Sequence, residues 1–363
     1  GAIADHTGRK KRYVAIFVSL GVAATAAFVL IGEGQWRVAS ALFMLASIGF
    51  SGSIFFYDSL LPHVARRGDI DRVSTLGHAL GYVGGGILLL VNVAWVVRPS
   101  WFGFPDADFA LRASFASVAV WWALFSLPFF RNVPEPARIA RRSLGNPVVA
   151  GFTRLAETFR EVRKYRQLAL MLFAYWVYAD GIGTIIRMAT AYGDGIGIEL
   201  TDMVTALVIT QFVGIPFSLL FGKIAGKIGA KPSIMIGLGV YMVIVVGAYF
   251  METATHFYVL AFAVGTVQGG SQALSRSLYG GMVPRNRSAE FFGFFGASSK
   301  FAGIAGPLVF GVVSQIAEGS RAGIVSVLIF FVVGAALLAR VDVEEGFEVA
   351  RRTEREAAIT SEP

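Results

Sequence analysis

The 363-residue sequence predicts an all-α integral membrane protein, and three observations carry the prediction. Hydrophobic residues make up 55% of the chain and charged residues 15%, where a water-soluble domain carries about a quarter charged. Ten apolar runs are each long enough, at about 20 residues, to cross a ~30 Å hydrocarbon core. A glycine-and-charge motif at the N-terminus returns 221 positions later, again directly before an apolar run, and so marks two similar multi-span halves.

The runs justify themselves in order. The first, 13–32, opens behind the Arg9-Lys10-Lys11-Arg12 cluster, and 38–61 closes on Tyr57-Asp-Ser-Leu-Leu-Pro62. The run 74–97 carries Gly81, Gly84, Gly85 and Gly86, whose small faces suit close helix contact. The run 112–130 ends before a basic connection, 131–166. There Phe152, Leu155, Phe159 and Val162 share a face ringed by Arg154, Arg160, Arg163 and Lys164, which predicts an amphipathic helix lying on the membrane surface. The run 167–187 holds Asp180, and 203–222 leads into the second motif copy, which 232–251 follows. The run 256–282 carries a polar stripe, 290–316 holds Lys300 and Gly303-Ile-Ala-Gly306-Pro307, and 321–340 runs into a charged tail. Of the 32 Lys and Arg residues, 25 fall in the connections on the side of Arg9, against four on the opposite side; this places both termini in the cytoplasm.

Gly1, Asp5, Gly8, Arg9 and Lys10 follow G-x-x-x-D-x-x-G-[RK]-[RK], and Gly222, Gly226, Gly229 and Lys231 occupy the same frame. Tyr57-x4-Pro62 and Tyr279-x4-Pro284 repeat at a nearly equal offset, 222. Two runs precede the second motif and none precedes the first. Matching the halves therefore predicts two further spans, on the order of 55–60 residues, ahead of Gly1, and twelve spans in two six-helix bundles. The expected division is 1–130 as the first bundle, 131–166 as linker, 167–340 as the second bundle and 341–363 as a cytoplasmic tail.

The first motif resembles the signature loop between the second and third helices of the major facilitator superfamily, and the weaker copy falls where that family places its own, between helices eight and nine. The resemblance spans essentially the whole chain. It implies the major facilitator fold, with ten of twelve helices present, and a charge-contact role in the cytoplasmic gate for Asp5, Arg9 and Lys10 beside Gly1 and Gly8. The second copy, with Gly226 in place of the acid and Ala230 in place of the first basic residue, is not assigned that role. Three further segments resemble the vacuole-effluxer-like branch, whose fungal members are associated with amino-acid release: Tyr178-Ala-Asp180-Gly-Ile-Gly-Thr-Ile-Ile186, Phe56-Tyr57-Asp58-Ser-Leu-Leu-Pro62, and Ser298-Ser-Lys300 through Gly306-Pro307-Leu-Val-Phe310-Gly311.

An ionisable residue within a span is a functional candidate by default, because a charge there is costly. At 1.5 Å per residue Asp180 lies roughly 21 Å, Lys300 roughly 15 Å and Arg276 roughly 14 Å from the cytoplasmic edge, a shared depth suited to a central cavity. In this reading Arg276 and Lys300 hold a carboxylate, and Asp180 an ammonium group or a proton. Asp180 has a second reading, a structural charge neutralised by Arg187 seven residues on. Arg187, at the end of its run, reads as snorkelling to the headgroups. Gln268, Ser271, Gln272 and Ser275 form one stripe, as a wetted wall or as interhelical hydrogen bonds. Asp58 lines the gate, takes a proton or is solvated at a helix end.

Other function classes have no support. Zero cysteines exclude disulfides and thiol chemistry; no phosphate-binding loop or G-x-S-x-G motif is present, and the four histidines lie in separate segments, so no enzyme activity, metal or other cofactor is expected. The net charge of +8 is scattered over loops rather than gathered on an aromatic face, which argues against nucleic acid. The expected function is secondary active transport of a small organic, amino-acid-like solute by alternating access, with a proton as candidate coupling ion. The expected partners are the solute and the lipid bilayer, and the expected state is a monomer in a bacterial inner membrane. The alternatives are a receptor or scaffold that keeps the fold without transporting, and a channel.

Overall fold

The computed structural model describes residues 4–5, 8–136, 164–301 and 303–361. Gly1 and the expected amphipathic helix of the 131–166 linker lie outside them. Every regular element among the described residues is helical. The α-helices are α1 (Lys10–Ala27), α2 (Trp36–Asp58), α3 (Leu61–Val64), α4 (Ile70–Val97), α5 (Ala107–Asn132), α6 (Arg166–Gly195), α7 (Leu200–Ile228), α8 (Ala230–Tyr249), α9 (Ala254–Met282), α10 (Ser288–Phe301), α11 (Ala305–Ile316), α12 (Ser320–Ser326), α13 (Leu328–Ala339) and α14 (Val343–Ser361). Eight stretches among the described residues are long and apolar enough to cross a membrane. The helix α9 matches them in length at 29 residues but is less apolar, because it carries the stripe from Gln268 to Ser275.

The chain forms two compact units. One holds Gly1–Val64, Gly85–Leu155 and Asn286–Gly293; the other holds Ala65–Gly84, Ala156–Arg285 and Phe294–Pro363. In the first unit α1 packs along α2 and against α5. The contact is close because glycines meet: a Cβ on Gly49 would lie 2.4 Å from the Gly21 nitrogen, and one on Gly21 would lie 2.1 Å from the Trp122 ring. With no hydrophobic drive between helices in lipid, such close backbone approach is what joins them. Tyr13 stacks on Phe56 at 5.0 Å in the same seam. The C-terminal end of α5 is capped from afar: Lys11 Nζ donates to the carbonyls of Phe130 (2.9 Å) and Val133 (2.6 Å).

In the second unit α7 and α8 flank α9, while α6 packs on α13 and α11. The side chains of Tyr178, Tyr241 and Phe331 are fully buried, and Tyr241 stacks on Phe331 at 5.1 Å. Lys231 Nζ donates to the carbonyls of Ala339 (2.8 Å) and Val341 (2.9 Å), closing the C-terminal end of α13 as Lys11 closes α5. Its structural counterpart is therefore Lys11, one position beyond the Lys10 that the sequence frame pairs with it. The slip arises because Gly229, in the left-handed region at φ +90°, directly caps α8, whereas Arg9 stands between Gly8 (φ +62°) and α1.

Three expectations about element boundaries are corrected. The run 290–316 is two helices, α10 ending at Phe301 and α11 starting at Ala305, with Gly303 and Ile304 in a turn ahead of α11. Pro307 falls in the first turn of α11, where a missing N–H leaves no hydrogen bond unmade. The helix α6 extends eight residues past Arg187 to Gly195, so Arg187 is not at its end. The tail 341–363 contains α14, whose residues Gly346, Ala350 and Thr353 are buried at helical spacing. Its docking partners are polar: Arg67 (2.7 Å) and the Arg285 amide (2.9 Å) on Glu354, Lys164 on Glu356 (2.9 Å), and Gln167 on Glu345 (2.6 Å).

Candidate functional site

Two constellations in the described residues hold chemistry. The first is built on the N-terminal motif. A short turn, with the Gly8 amide donating to the Ala4 carbonyl at 2.9 Å, carries Asp5 inward. The Asp5 carboxylate accepts from the amides of Ala289 (3.1 Å) and Glu290 (2.7 Å), the second and third residues of α10. It is thus an N-cap supplied from 284 and 285 residues away, an anion at the positive end of a helix. Lys10 Nζ sits 3.0 Å from Asp5 Oδ1, with both side chains under 5% exposed. The ammonium group also reaches His63 Nε2 at 3.1 Å and donates to the Ser288 hydroxyl, and His63 and Ser288 are themselves 3.0 Å apart. At the same turn Arg287 grips Glu290 through two bonds of 3.1 Å.

The second constellation is a cavity of about 250 Å³ between α6 and α9. Tyr175, Tyr178, Ile182, Ile186 and Arg187 of α6 line it together with Gln272 and Ser275 of α9. Tyr178 and Ser275 share a hydrogen bond of 2.6 Å, and Tyr175 stacks on Phe295 at 4.2 Å, so the aromatic wall is held in place. Next to it, Asp180 Oδ1 accepts from the Gly306 amide at 3.0 Å, capping the start of α11, which has no side-chain cap of its own. A Cβ on Gly306 would lie 1.8 Å from Thr184 Oγ1, and one on Gly303 would lie 2.1 Å from the Arg187 guanidinium. Glycine at 306 lets the start of α11 approach α6 this closely, while at 303 the neighbour is the tip of the flexible Arg187 side chain.

Some of the residues singled out from sequence are placed together and others are not. Asp5, Gly8 and Lys10 belong to one cluster, whereas Arg9 is exposed beside it. Arg276 is turned to α4, donating to the Ser74 hydroxyl (3.0 Å) and carbonyl (3.1 Å). Lys300 is on α10, and its side chain lies outside the described residues. The stripe divides: Gln268 bonds Tyr82, Gln272 faces the cavity, Ser275 donates to the Ser271 carbonyl, and Ser271 is buried. Asp58 is buried at the end of α2. Among the described residues no ion pair within 4 Å joins Asp180 to Arg187. Sequence reasoning missed His63 and Ser288, which complete the Lys10 cluster, and Arg187, whose place in the cavity follows from the longer α6.

Comparison with known proteins matches the chain to a family. A model described as "Vacuole effluxer Atg22 like" covers residues 1–71 and 66–351. The chain belongs to the Atg22-like vacuole effluxer family. It is 38% identical over 353 residues to the uncharacterized MFS-type transporter YxiO of Bacillus subtilis, covering 97% of this chain and 82% of that protein. To the autophagy-related protein 22 of Yarrowia lipolytica it is 25% identical over 315 residues, and it spans about half, 52%, of that longer relative. Among solved structures it resembles the proton:xylose symporter XylE (TM-score 0.70, 13% identity, 97% of this chain and 85% of that one) and the Escherichia coli fucose:proton symporter (TM-score 0.68, 12% identity, 94% and 87%). The Atg22-like chain therefore has the major facilitator fold and is a multi-pass membrane transporter rather than an enzyme.

Proposed function

We propose that this Atg22-like protein is a secondary active transporter that moves a small organic, amino-acid-like solute by alternating access, with a proton as the coupling ion. In this reading residues 1–130 and 167–340 act as the moving bundles, 131–166 links them, and both termini face the cytoplasm of a bacterial inner membrane. The protein works as a monomer. The observation that carries the reading is Asp180, a buried carboxylate 2% exposed that caps the broken start of α11 beside the α6–α9 cavity. An ionised carboxylate is a stronger acceptor than a protonated one, so protonation of Asp180 loosens α11. A proton and a movement of α11, which packs on the cavity-lining α6, then share one residue. The Asp5–Lys10 cluster serves as the cytoplasmic gate, since it ties the start of α10 to the segment before α1 through a buried pair.

The test is flux through purified protein in sealed vesicles, with a panel of amino acids, monocarboxylates, amines and sugars, in the presence and absence of a pH gradient. Gradient-driven accumulation of one class, lost in Asp180→Asn while exchange of that solute persists, is the expected result. A receptor or scaffold predicts no flux of any member. A channel predicts flux without competition between members.

A further inference from the structure

We infer that Arg187 is the anion-binding residue of the α6–α9 cavity, and that the solute is a small carboxylate whose charged end sits on its guanidinium group. The inference deepens the transport reading and rests on it. The sequence leaves Arg187 at the end of a span, where it would reach the headgroups; the structure continues α6 eight residues further and sets Arg187 on the wall of the cavity. Its guanidinium lies over Gly303, where a Cβ would meet Nη1 at 2.1 Å, so the side chain is braced against the break between α10 and α11. Among the described residues no acceptor is hydrogen-bonded to it. The nearby carboxylate of Asp180 is turned to the Gly306 amide.

The remaining lining explains the rest of the solute. Arg187 is the one charged residue on the described wall, which gives the cavity a positive balance. A cation inside a spanning helix is costly without a counter-ion; Asp180, which acts on Arg187 electrostatically, is already hydrogen-bonded to the Gly306 amide and does not line the cavity, so a carboxylate solute supplies the counter-ion in direct contact. Gln272 and Ser275 offer neutral donors and acceptors, whereas Tyr175, Ile182 and Ile186 form an apolar side against which a short chain packs. Arginine's planar fork suits a carboxylate bidentately, which a lysine does not reproduce. The volume of about 250 Å³ falls below the roughly 300–1,000 Å³ of drug-sized sites, so the solute is small.

The experiment uses the full chain in vesicles and three probes of one shape: L-leucine, leucinamide and isocaproate. The wild-type protein should carry the two carboxylates and not the amide. Arg187→Ala should raise KM for the carboxylates about tenfold or more, the loss of a charged hydrogen bond, with kcat less affected. Arg187→Lys should recover part of the loss. Equal transport of leucinamide, or carboxylate KM values unchanged in Arg187→Ala, overturns the inference and leaves transport standing. Flux of an uncharged or cationic member of the wider panel, without flux of any carboxylate, overturns it equally. No flux of any panel member in the wild-type protein overturns the transport reading and the inference with it. The wild-type comparison of leucine with leucinamide decides the matter even if a variant fails to fold.

Discussion

Substituting Asp5→Asn removes one charge from a buried pair while preserving shape. Asparagine still offers one oxygen to the amides of Ala289 and Glu290, now 3.1 and 2.7 Å from the carboxylate, but Lys10 is left buried without its anion. Removing one partner of a buried ion pair costs about 3–5 kcal/mol. The remaining bonds of Lys10 to His63 and Ser288 favour the lower end. A loss of about 3 kcal/mol raises the ratio of open to closed cluster by roughly 100-fold, at 1.36 kcal/mol per decade. The chain has no cysteine, so a single Ala289→Cys, at a position 0% exposed, reports opening without background. Its alkylation rate in membranes should rise by that factor in Asp5→Asn, until the open form dominates. An unchanged rate, with both proteins expressed and folded, would refute the role given to the cluster.

Three further outcomes follow from the geometry. Gly306→Ala forces a methyl group onto Thr184 Oγ1 and should destabilise the protein by about 1–3 kcal/mol; combining it with Thr184→Ala should restore part of that in a denaturation series, and strict additivity would contradict the contact. Lys11→Ala and Lys231→Ala should each destabilise by about 1.5–3 kcal/mol, as charged donors to helix-end carbonyls, measured by thermal unfolding in detergent; an effect at one site alone would break their equivalence. The Glu356 carboxyl is held below its ordinary value of 4.5, first by the hydrogen bond from Lys164. Its contribution to α14 docking is therefore present above the ordinary value and fades as pH falls through the lower, folded one. The Tm gap between wild type and Glu356→Gln should narrow on acidification, and a gap constant with pH would exclude the linkage.

Much of the fold is legible because lipid imposes it. Apolar runs mark α1, α2, α4, α5, α7 and α8 and all but the last eight residues of α6, since a single apolar segment satisfies its own backbone in hydrocarbon only as a helix. The break between α10 and α11 was not legible: Gly303-Ile-Ala-Gly306-Pro307 reads as small residues for packing, and only the tertiary contact of Asp180 with the Gly306 amide shows how the start of α11 is capped. The helix α14 was missed because its mean composition is polar and its narrow buried face has meaning only against α9 and α6. At the site, the motif pointed to Asp5 and Lys10, while His63 and Ser288 join them only through tertiary contacts across 53 and 278 positions. Depth estimates grouped Asp180, Arg276 and Lys300, but depth carries no azimuth, and Arg276 turns to Ser74.

The central claim, transport by alternating opening of a gate that includes the Asp5 cluster, is tested most directly by locking it. Ala4 and Ala289 share one buried apolar cluster, and a cysteine pair at these positions places a removable bond across the contact between the N-terminal motif and α10. Vesicle flux should stop in the oxidised protein and return on reduction, with either single cysteine unaffected by oxidant. Undiminished flux in a fully cross-linked sample would contradict the account.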